Sequence, residues 1–319
     1  MNFEVCILGC NGAVPQKGKY PSCQYVRIDT FHCLVDCGEG AQFQMVNLGV
    51  PKHRIEHIFI SHLHGDHIFG LIGLITSYLL AGRTKALDIF SPQGLEEIIK
   101  IQLQANGKFD MPFELRFHVI DTTTPGLIFE NDILEVISIP LKHRIPTSGF
   151  LFREKQRTPN IDKHKLEEYQ LERAEILKLK AGESVQNRHG KHILPQDVLK
   201  APLPKRSYAY CSDTMYAPEN IPILKGVNLL YHESTFLQVD EATALATNHS
   251  TAQQAASIAH DAEVGLLLLG HFSARYANRQ YFIDEASQVF PNVFLASEGM
   301  VAKLEILDNK ITTRLSDPA

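Results

Sequence analysis

The sequence predicts an α/β fold, with one large domain that carries an inserted module. Three observations support this prediction. Apolar runs of strand length alternate with helical stretches along the chain, which indicates α/β layering and not an all-β fold. Several of these apolar runs end directly in a polar residue. The chain has 319 residues, 44% hydrophobic and 21% charged, which is sufficient for a large core of ordinary globular composition.

The first elements are predicted from short apolar runs. Strands are expected at residues 3–8, 23–28, 31–35 and 55–60, with helices through Leu48 and at residues 68–75. Asp36 lies between the third strand and the first helix. Its carboxylate could accept a hydrogen bond from a ligand histidine, or it could cap the helix. The sequence leaves both roles open.

The strand at residues 55–60 is followed by the stretch 61–67, which reads Ser-His-Leu-His-Gly-Asp-His. Alternate residues of an extended chain face the same side, so His62 and His64 can hold one metal ion. The glycine after them permits a turn that directs Asp66 and His67 towards a second ion. Imidazole and carboxylate are ligands that zinc or manganese would take. We therefore interpret this loop as a metal site and not as a group of surface histidines.

The pattern His-x-His-x-Asp-His after an apolar strand is the signature of the metallo-β-lactamase fold. With the motifs described below, the chain resembles the ribonuclease Z family of zinc endonucleases, which trim the 3′ ends of tRNA precursors, over residues 3–307. The resemblance implies a metallo-β-lactamase-type αββα sandwich with an inserted basic arm. It also implies two Zn²⁺ ions per chain (Mn²⁺ being the alternative), precursor tRNA as the substrate, and a homodimer without membrane association.

Later strands are expected at residues 87–90, 113–120, 133–139, 207–211, 227–231 and 264–269, with helices at residues 94–105 and 281–289. His143 follows the third of these strands, and the phrase from His143 to Ser148-Gly149-Phe150 resembles the family's third metal motif. Asp213 follows the fourth strand, and a carboxylate with two oxygens can bridge two ions. His271 follows the last of them. Short strands near residues 293, 302 and 311 close the chain, with a hairpin turn at Asp308-Asn309.

Five histidines and two aspartates thus form the candidate ligand set. Tetrahedral catalytic zinc takes about three protein ligands and leaves a position for water. Two ions about 3.5–4 Å apart would polarise a phosphoryl oxygen and lower the pKa of a bound water to about 7. The expected assignment is His62, His64 and His143 for one ion, Asp66, His67 and His271 for the other, and Asp213 as the bridge.

The resemblance also implies the groups that move protons. His249, oriented by Glu233, is similar to the family's general-acid pair, and Asp66 corresponds to its proton acceptor. A histidine with an ordinary pKa of about 6.5 suits a general acid. The alternative is that His249 is an N-terminal helix residue that merely caps. Ser250 or Thr251 is also expected to cap this helix, which runs through Asp261.

Residues 153–206 differ in composition from the rest of the single domain predicted for residues 1–319. Between residues 152 and 206 there are 13 Lys and Arg against 8 Asp and Glu, a net charge of +5, whereas the remainder carries −10. A helix is expected at residues 166–180, on an insertion without a core of its own. In ribonuclease Z an arm at this place grips the tRNA body, usually with a Gly-Pro-rich tip. No Gly-Pro dipeptide occurs here, so a shortened arm is expected.

The loop of residues 15–20, Pro-Gln-Lys-Gly-Lys-Tyr, is similar to the family's Pro-x-Lys-x-Arg-Asn loop, which is thought to hold the acceptor stem. Lysine keeps the positive charge of the replaced arginine but not its bidentate geometry. Lys17 and Lys19, together with Arg275, are the candidates for RNA contacts. The alternative is that the loop is a solvated turn.

The amino terminus has no basic and apolar leader pattern, and the run of residues 266–269 is too short to span a bilayer. The six cysteines include no Cys-x-x-Cys pair and are expected to be buried, reduced thiols. A cytoplasmic protein is therefore expected. Two alternatives to the RNA enzyme remain: a hydrolase of a small phosphodiester, thioester, lactone or sulfate ester on the same scaffold, and a catalytically silent RNA-binding or scaffold protein.

Overall fold

Two mixed β-sheets packed face to face, with helices on their outer sides, form the αββα sandwich that the sequence predicted. The computed structural model describes residues 2–105 and 111–316. The strands are β1 (Phe3–Gly9), β2 (Cys23–Ile28), β3 (Phe31–Val35), β4 (His57–Phe59), β5 (Leu87–Ser91), β6 (Leu115–Val119), β7 (Gly126–Glu130), β8 (Leu134–Leu141), β9 (Thr147–Glu154), β10 (Val185–Gln186), β11 (His192–Ile193), β12 (Ser207–Cys211), β13 (Leu229–Glu233), β14 (Leu266–Gly270), β15 (Val293–Leu295), β16 (Val301–Leu307) and β17 (Lys310–Ser316).

The helices pack on the outer faces of the sheets and on the arm. They are α1 (Ala41–Asn47), α2 (Gly65–Ile68), α3 (Leu71–Leu80), α4 (Leu95–Ala105), α5 (Lys163–Tyr169), α6 (Arg173–Lys180), α7 (Pro195–Val198), α8 (Ile221–Leu224), α9 (Glu241–Thr247), α10 (Ala252–Asp261) and α11 (Gln280–Ala286). Within the described ranges, no helix combines the length and the apolar character needed to cross a membrane.

The first sheet has the order β17-β16-β1-β2-β3-β4-β5-β6, and the second the order β15-β14-β13-β12-β9-β8-β7. Strands β3 to β6 run parallel, as do β12 to β15, whereas the other pairs in the two sheets are antiparallel. Neighbouring parallel strands end at the same edge of their sheet. Each sheet therefore collects the residues that follow its parallel strands at one edge.

The core between the sheets is aromatic. Phe59 of β4 lies with its ring centroid 5.5 Å from those of Phe150 and Phe152, both on β9 of the opposite sheet. Its neighbour Ile58 points the other way, into the apolar layer shared with α1, α3 and α4. A strand buried on both faces reads as a continuous apolar run, which is why this strand could be predicted from its sequence.

Several predicted elements differ from those observed. The first helix begins at Ala41 and not next to Asp36, and the helix expected at residues 68–75 is α3, which ends at Leu80. Strands β7 and β9 were missed because their short runs carry the turn residues Gly126 and Gly149. Helix α9 was missed because seven residues are too few to show a helical period. The hairpin turn at Asp308-Asn309 is present, between β16 and β17.

Two predictions about the arm were wrong. The helix expected at residues 166–180 is two helices, because Gln170 adopts a left-handed conformation (φ 49°) and Glu172 starts α6 with a capping box. The arm also has a small core of its own, which its scattered apolar residues did not reveal in the sequence. That core consists of Leu179, Val185, Ile193 and Val198.

A buried ion pair joins the two ends of the arm to the second sheet. Glu154, the last residue of β9, accepts hydrogen bonds from Arg206 Nε at 2.8 Å and Nη2 at 2.7 Å, and from Arg157 Nη2 at 2.7 Å. The Arg206 backbone N–H also donates to this carboxylate, at 3.0 Å. Burial raises the pKa of Glu154, but the hydrogen bonds from Arg206 outweigh it and lower the pKa.

Replacing Glu154 with Gln should destabilise the fold by about 3–5 kcal/mol, because it leaves the Arg206 guanidinium buried without its counter-charge. Since the folded pKa of Glu154 is depressed, its contribution is full at neutral pH and is lost as the pH falls below the unfolded value of about 4.3. Denaturant unfolding of both proteins between pH 7 and pH 3 measures this. Glu135→Gln, which removes a half-exposed partner of Arg153, is the matched control and should cost under about 1 kcal/mol. Equal losses for the two variants would contradict the assignment.

Candidate metal centre

The predicted ligands lie together at the edge where the parallel strands of both sheets end. The loop after β4 supplies four of them, the loop after β12 supplies Asp213, and His271 follows β14. His143 reaches the same place from the turn between β8 and β9. All seven candidate ligands therefore meet in one site, although they come from segments more than 200 residues apart.

The first group contains His62, His64, His143 and one oxygen of Asp213. His64 Nδ1 lies 3.0 Å from His62 Nε2 and 3.3 Å from His143 Nε2. Asp213 Oδ2 lies 3.6 Å from His62 Nε2 and 3.8 Å from His143 Nε2. One nitrogen of each imidazole and a carboxylate oxygen thus converge on a common point, with the four atoms within 4.8 Å of one another.

The second group contains Asp66, His67, His271 and the other oxygen of Asp213. Asp66 Oδ2 lies 3.5 Å from both His67 Nε2 and His271 Nε2. Asp213 Oδ1 lies 3.4 Å from His67 Nε2 and 3.2 Å from His271 Nε2. Because the two oxygens of Asp213 face different histidine groups, this carboxylate has the orientation of a bridging ligand.

The hydrogen bonds behind the histidines leave their inner nitrogens available. His67 Nδ1 donates to Asp36 at 2.7 Å, His143 Nδ1 to the Asn248 carbonyl at 2.8 Å, and His271 Nδ1 to Thr235 at 2.9 Å. The outward bonds orient the three rings so that each Nε2 points inward, which is the orientation that binds a metal. The Nε2 atoms of His67 and His271 are buried and have no hydrogen-bond partner. These partnerless atoms and the donor set both fit a pair of transition-metal ions.

Protonation at the first group agrees with this fit. Burial lowers the pKa of His62, His64 and His143, and His62 is shifted furthest because His67 adds to the effect. All three are therefore neutral at physiological pH, as metal ligands must be. Burial raises the pKa of Asp213, but His271 and His67 lower it well below its usual value, so that this carboxylate is charged.

Asp36 lies behind the metal site and is fully buried. Its carboxylate accepts from the Ser61 backbone N–H at 2.7 Å, the Ser61 hydroxyl at 2.9 Å, His67 Nδ1 at 2.7 Å and the Tyr210 hydroxyl at 2.7 Å. Helix α1 begins five residues later at Ala41, and Gly40 occupies its N-cap. Of the two roles that the sequence left open, the structure supports the histidine contact.

His249 and Glu233 form an ion pair beside the second group. His249 Nδ1 lies 2.8 Å from Glu233 Oε1, and Thr235 Oγ1 donates to Glu233 Oε2 at 2.8 Å. Burial lowers the pKa of His249, but the Glu233 carboxylate outweighs it and raises the pKa to about 9. Thr251 and not Ser250 caps α10, since the Thr251 hydroxyl accepts from the Gln254 N–H. His249 therefore carries a proton at neutral pH and does not act as the cap.

The site opens into a cavity of about 380 Å³, which is lined by members of both groups and by His249. Two of its residues were missed in the sequence. Thr235 connects His271 to Glu233 through its hydroxyl, and no spacing rule reveals such a link. Arg144 lines the cavity and is exposed, and among the described residues it forms no ion pair. Its position directly after His143 was the available signal for a cation at the rim.

The three predicted RNA contacts lie in different surroundings. Lys17 is exposed on its loop. Lys19 forms an ion pair with Glu298 at 3.4 Å, and Arg275 forms one with Asp240 at 3.6 Å. Two of the three cations therefore already have a carboxylate partner within the chain.

Known proteins with similar sequences or structures agree on one family. A protein of Bacteroides thetaiotaomicron named Ribonuclease Z is 42% identical over 316 residues, which cover 99% of this chain and 99% of that protein. A Parabacteroides distasonis protein of the same name is 44% identical over 301 residues, or 94% of this chain and 98% of that protein. The solved short form of human tRNase Z is 25% identical, with a TM-score of 0.66 over 93% of this chain and 98% of that one.

A family model described as Anti-Pycsar protein Apyc1 matches residues 3–155. This segment includes the ligands up to His143 but ends before Asp213, His249 and His271. The match therefore reports the part of the scaffold that carries the first metal motif, and it does not extend to the general-acid pair.

The two facing sheets and the clustered histidines and aspartates define a metal-dependent enzyme of the metallo-β-lactamase fold. The relatives at 42–44% identity extend over nearly the whole chain. The chain belongs to the ribonuclease Z family, as the sequence motifs predicted.

Asp36→Asn should weaken metal binding by about 10–100-fold, because an amide cannot accept all four donors and turns His67 away from its inward orientation. Competition with a chelator, followed by elemental analysis, measures the affinity and the bound metal. Tyr210→Phe is the control: it removes one donor to Asp36 but leaves the His67 contact, so its loss should be smaller. Unchanged affinity in Asp36→Asn would mean that this carboxylate does not support the site.

Proposed function

We propose that this protein is an endoribonuclease that removes the 3′ trailer from tRNA precursors. The products would be a 3′-hydroxyl on the tRNA and a 5′-phosphate on the trailer. The observation that carries the proposal is the complete constellation of seven ligands beside the His249–Glu233 pair, in a chain 42% identical to a protein named Ribonuclease Z over 99% of both lengths. The family is also the basis for proposing a cytoplasmic homodimer.

Two Zn²⁺ ions per chain, or Mn²⁺ in their place, are the proposed cofactors. His62, His64 and His143 would hold one ion, and Asp66, His67 and His271 would hold the other, with Asp213 between them. Bound ions of this kind polarise a phosphoryl oxygen and lower the pKa of a coordinated water to about 7. The contribution of the chain is to fix the two groups of ligands on separate strand ends of one rigid scaffold.

The residues that move protons lie on the same cavity as the ligands. Asp66 faces it from the metal loop and is the proposed acceptor of the proton from the attacking water. His249 holds a proton through its contact with Glu233 and is the proposed donor to the departing 3′ oxygen. Glu233 is buried and accepts from Thr214 N–H and Thr235 as well, so its orientation does not depend on His249. Arg144, exposed at the rim, is placed to contact a backbone phosphate of the RNA.

The direct test is to incubate the protein with a precursor tRNA that carries a 3′ trailer and to map the cut to the nucleotide. The proposal expects one cut near the end of the tRNA, with end groups of the stated chemistry. A small diester such as bis-p-nitrophenyl phosphate serves as the second substrate. Hydrolysis of the diester without any cut in the RNA would instead favour an enzyme for small phosphodiesters.

His249→Ala should reduce cleavage of precursor tRNA by about 10²–10⁴-fold, because the leaving 3′ oxygen then departs without a positioned acid. The p-nitrophenolate leaving group needs no proton, so the same variant should lose far less activity on the diester. Asp213→Ala is the comparison variant. It removes the ligand common to both groups and should abolish both reactions. Equal losses of His249→Ala on the two substrates would remove His249 from the general-acid role.

The arm of residues 153–206 is the proposed contact with the tRNA body, but its positive charge is unevenly distributed. Its root cations are largely paired: Arg153 with Glu135, Lys155 with Glu130, and Arg157 with Asp29. Between residues 158 and 203 there are eight Lys and Arg against seven Asp and Glu. The exposed hairpin turn between β10 and β11 contains Arg188, which donates to Gln170, and Lys191, whose ammonium lies 4.3 Å from the centroid of the Tyr169 ring. Neither cation forms an ion pair among the described residues. We propose this turn as the RNA contact of an arm that lacks a Gly-Pro tip.

The double variant Arg188→Ala/Lys191→Ala should therefore weaken binding of precursor tRNA and flatten its salt dependence. Each phosphate that the arm no longer neutralises should reduce the log–log salt slope by about 0.7–0.9. Lys163→Ala/Lys165→Ala is the matched control, since it removes two charges from α5, where Lys165 is already paired with Glu168 at 2.6 Å. Replacing residues 158–203 with a short linker keeps Glu154 and Arg206 and should leave diester hydrolysis in place. If the linker variant binds precursor tRNA as well as the full chain, the arm has no role in recognition.

A further inference from the structure

The loop between β1 and β2 separates two cavities. Residues 12–14 line the catalytic cavity and also a neighbouring one of about 340 Å³, which is bordered by Tyr20 and Phe43. Val14 and Phe43 are largely exposed, so the second cavity offers apolar surface next to the metal site. A phosphate that occupies the metal site lies next to this loop, because residues 12–14 form one wall of the catalytic cavity. The position of the loop therefore decides how an RNA strand can lie.

Glu298, which follows β15, holds the far end of this loop. Its side chain is only 11% exposed. It accepts a hydrogen bond from the Tyr20 backbone N–H at 3.2 Å, another from Asn11 Nδ2, and the ion-pair contact of Lys19 Nζ at 3.4 Å. A single carboxylate thus receives a backbone donor, a side-chain donor and a charge from the two ends of one loop.

The near end of the loop contacts a metal ligand. His271 N–H donates to the Cys10 carbonyl at 2.8 Å, and Gly12 N–H donates to the Phe272 carbonyl at 3.3 Å. A side chain at Gly12 would lie 3.5 Å from the His271 ring, so the loop packs directly against that imidazole. Asn11 is buried between these contacts, and its backbone N–H donates to the Tyr20 carbonyl at 3.1 Å. The start of the loop therefore contacts His271, and Glu298 joins that start, at Asn11, to the far end at Lys19 and Tyr20.

We propose that Glu298 is a positioning residue that fixes the loop of residues 12–20 for the RNA strand entering the catalytic cavity. This inference rests on the proposed function. It also assigns a different role to Lys19, which acts as a tether for the loop and not as a phosphate contact. Lys17 and Arg144, both exposed and without an ion pair among the described residues, are then the proposed RNA contacts on this side.

Glu298→Ala and Glu298→Gln distinguish the two contacts of the carboxylate, which are the hydrogen bond from the Tyr20 N–H and the ion pair with Lys19. Alanine removes both carboxylate oxygens, so the loop loses its contacts with residue 298. KM for precursor tRNA should then rise about tenfold, because one to two hydrogen bonds to a charged group are lost. Glutamine keeps an acceptor for the Tyr20 N–H while ending the ion pair with Lys19, and should recover most of that loss. The loss of activity that Glu298→Ala causes on the small diester should be several-fold smaller than its loss on the RNA. Its cut sites should spread over neighbouring nucleotides.

Glu56→Ala is the matched control, because Glu56 also pairs with a lysine, Lys85, but on an exposed surface where it holds no backbone N–H. Its kinetics on both substrates should equal those of the unmodified chain. Unchanged KM and an unchanged cut site in Glu298→Ala would overturn the proposal. Equal losses on RNA and diester would also overturn it, because the residue would then act through the metal site or the fold.

Limited trypsin digestion makes the test independent of RNA cleavage. Release of the loop in Glu298→Ala should expose the bonds after Lys17 and Lys19 and increase their rate of cleavage at least severalfold, while Glu298→Gln stays close to the unmodified chain. Unchanged digestion of Glu298→Ala would overturn the role of Glu298 in fixing the loop, even if the unmodified protein did not cut precursor tRNA. If the protein does not cut precursor tRNA but the variants show the expected digestion, the role of Glu298 in fixing the loop is supported and the proposed function is wrong.

Discussion

The buried carboxylate of Asp36 is the interaction on which the catalytic edge depends. It follows β3 of the first sheet, and it holds Ser61 and His67 of the metal loop together with Tyr210 from the second sheet. Removing a carboxylate from water costs several kcal/mol unless it is fully hydrogen-bonded. Four donors meet that requirement here, and the same bonds lock the metal loop between the sheets. The Asp36 carboxylate thus both stabilises the sandwich and orients His67.

Backbone conformation supports the same arrangement. Asp36 (φ 57°) and His271 (φ 57°) both lie in the left-handed region, which is uncommon for residues other than glycine. Each follows a strand and must turn its side chain back towards the site immediately after the strand ends. Their hydrogen bonds, to His67 and to Thr235, hold these conformations in place. Strain therefore occurs where ligand direction matters most, as at many functional sites.

The metal ligands could be predicted because their signal is local: an apolar strand followed by closely spaced histidines and an aspartate. The pairing of His249 with Glu233 could be predicted by resemblance only, since the two residues lie 16 positions apart and meet through folding. The supporting residues gave no signal. Thr235, Glu298 and the pair Glu154–Arg206 are ordinary polar residues in the sequence, and their roles depend on partners up to 287 residues away. Sequence patterns report periodicity and spacing, whereas these contacts are set by how the two sheets pack.

Part of the charge in this molecule is committed to internal ion pairs. The chain carries a formal net charge of −5, and its basic segment pairs much of its charge at the root with carboxylates of the body. Lys19 and Arg275 are likewise paired. The negative net charge gives no general attraction to RNA, so under the proposed function binding would rely on a few cations at defined places, such as Arg144 at the cavity and Arg188 on the arm. Such a surface favours selectivity, because a polyanion that does not present phosphates at those places gains little by binding.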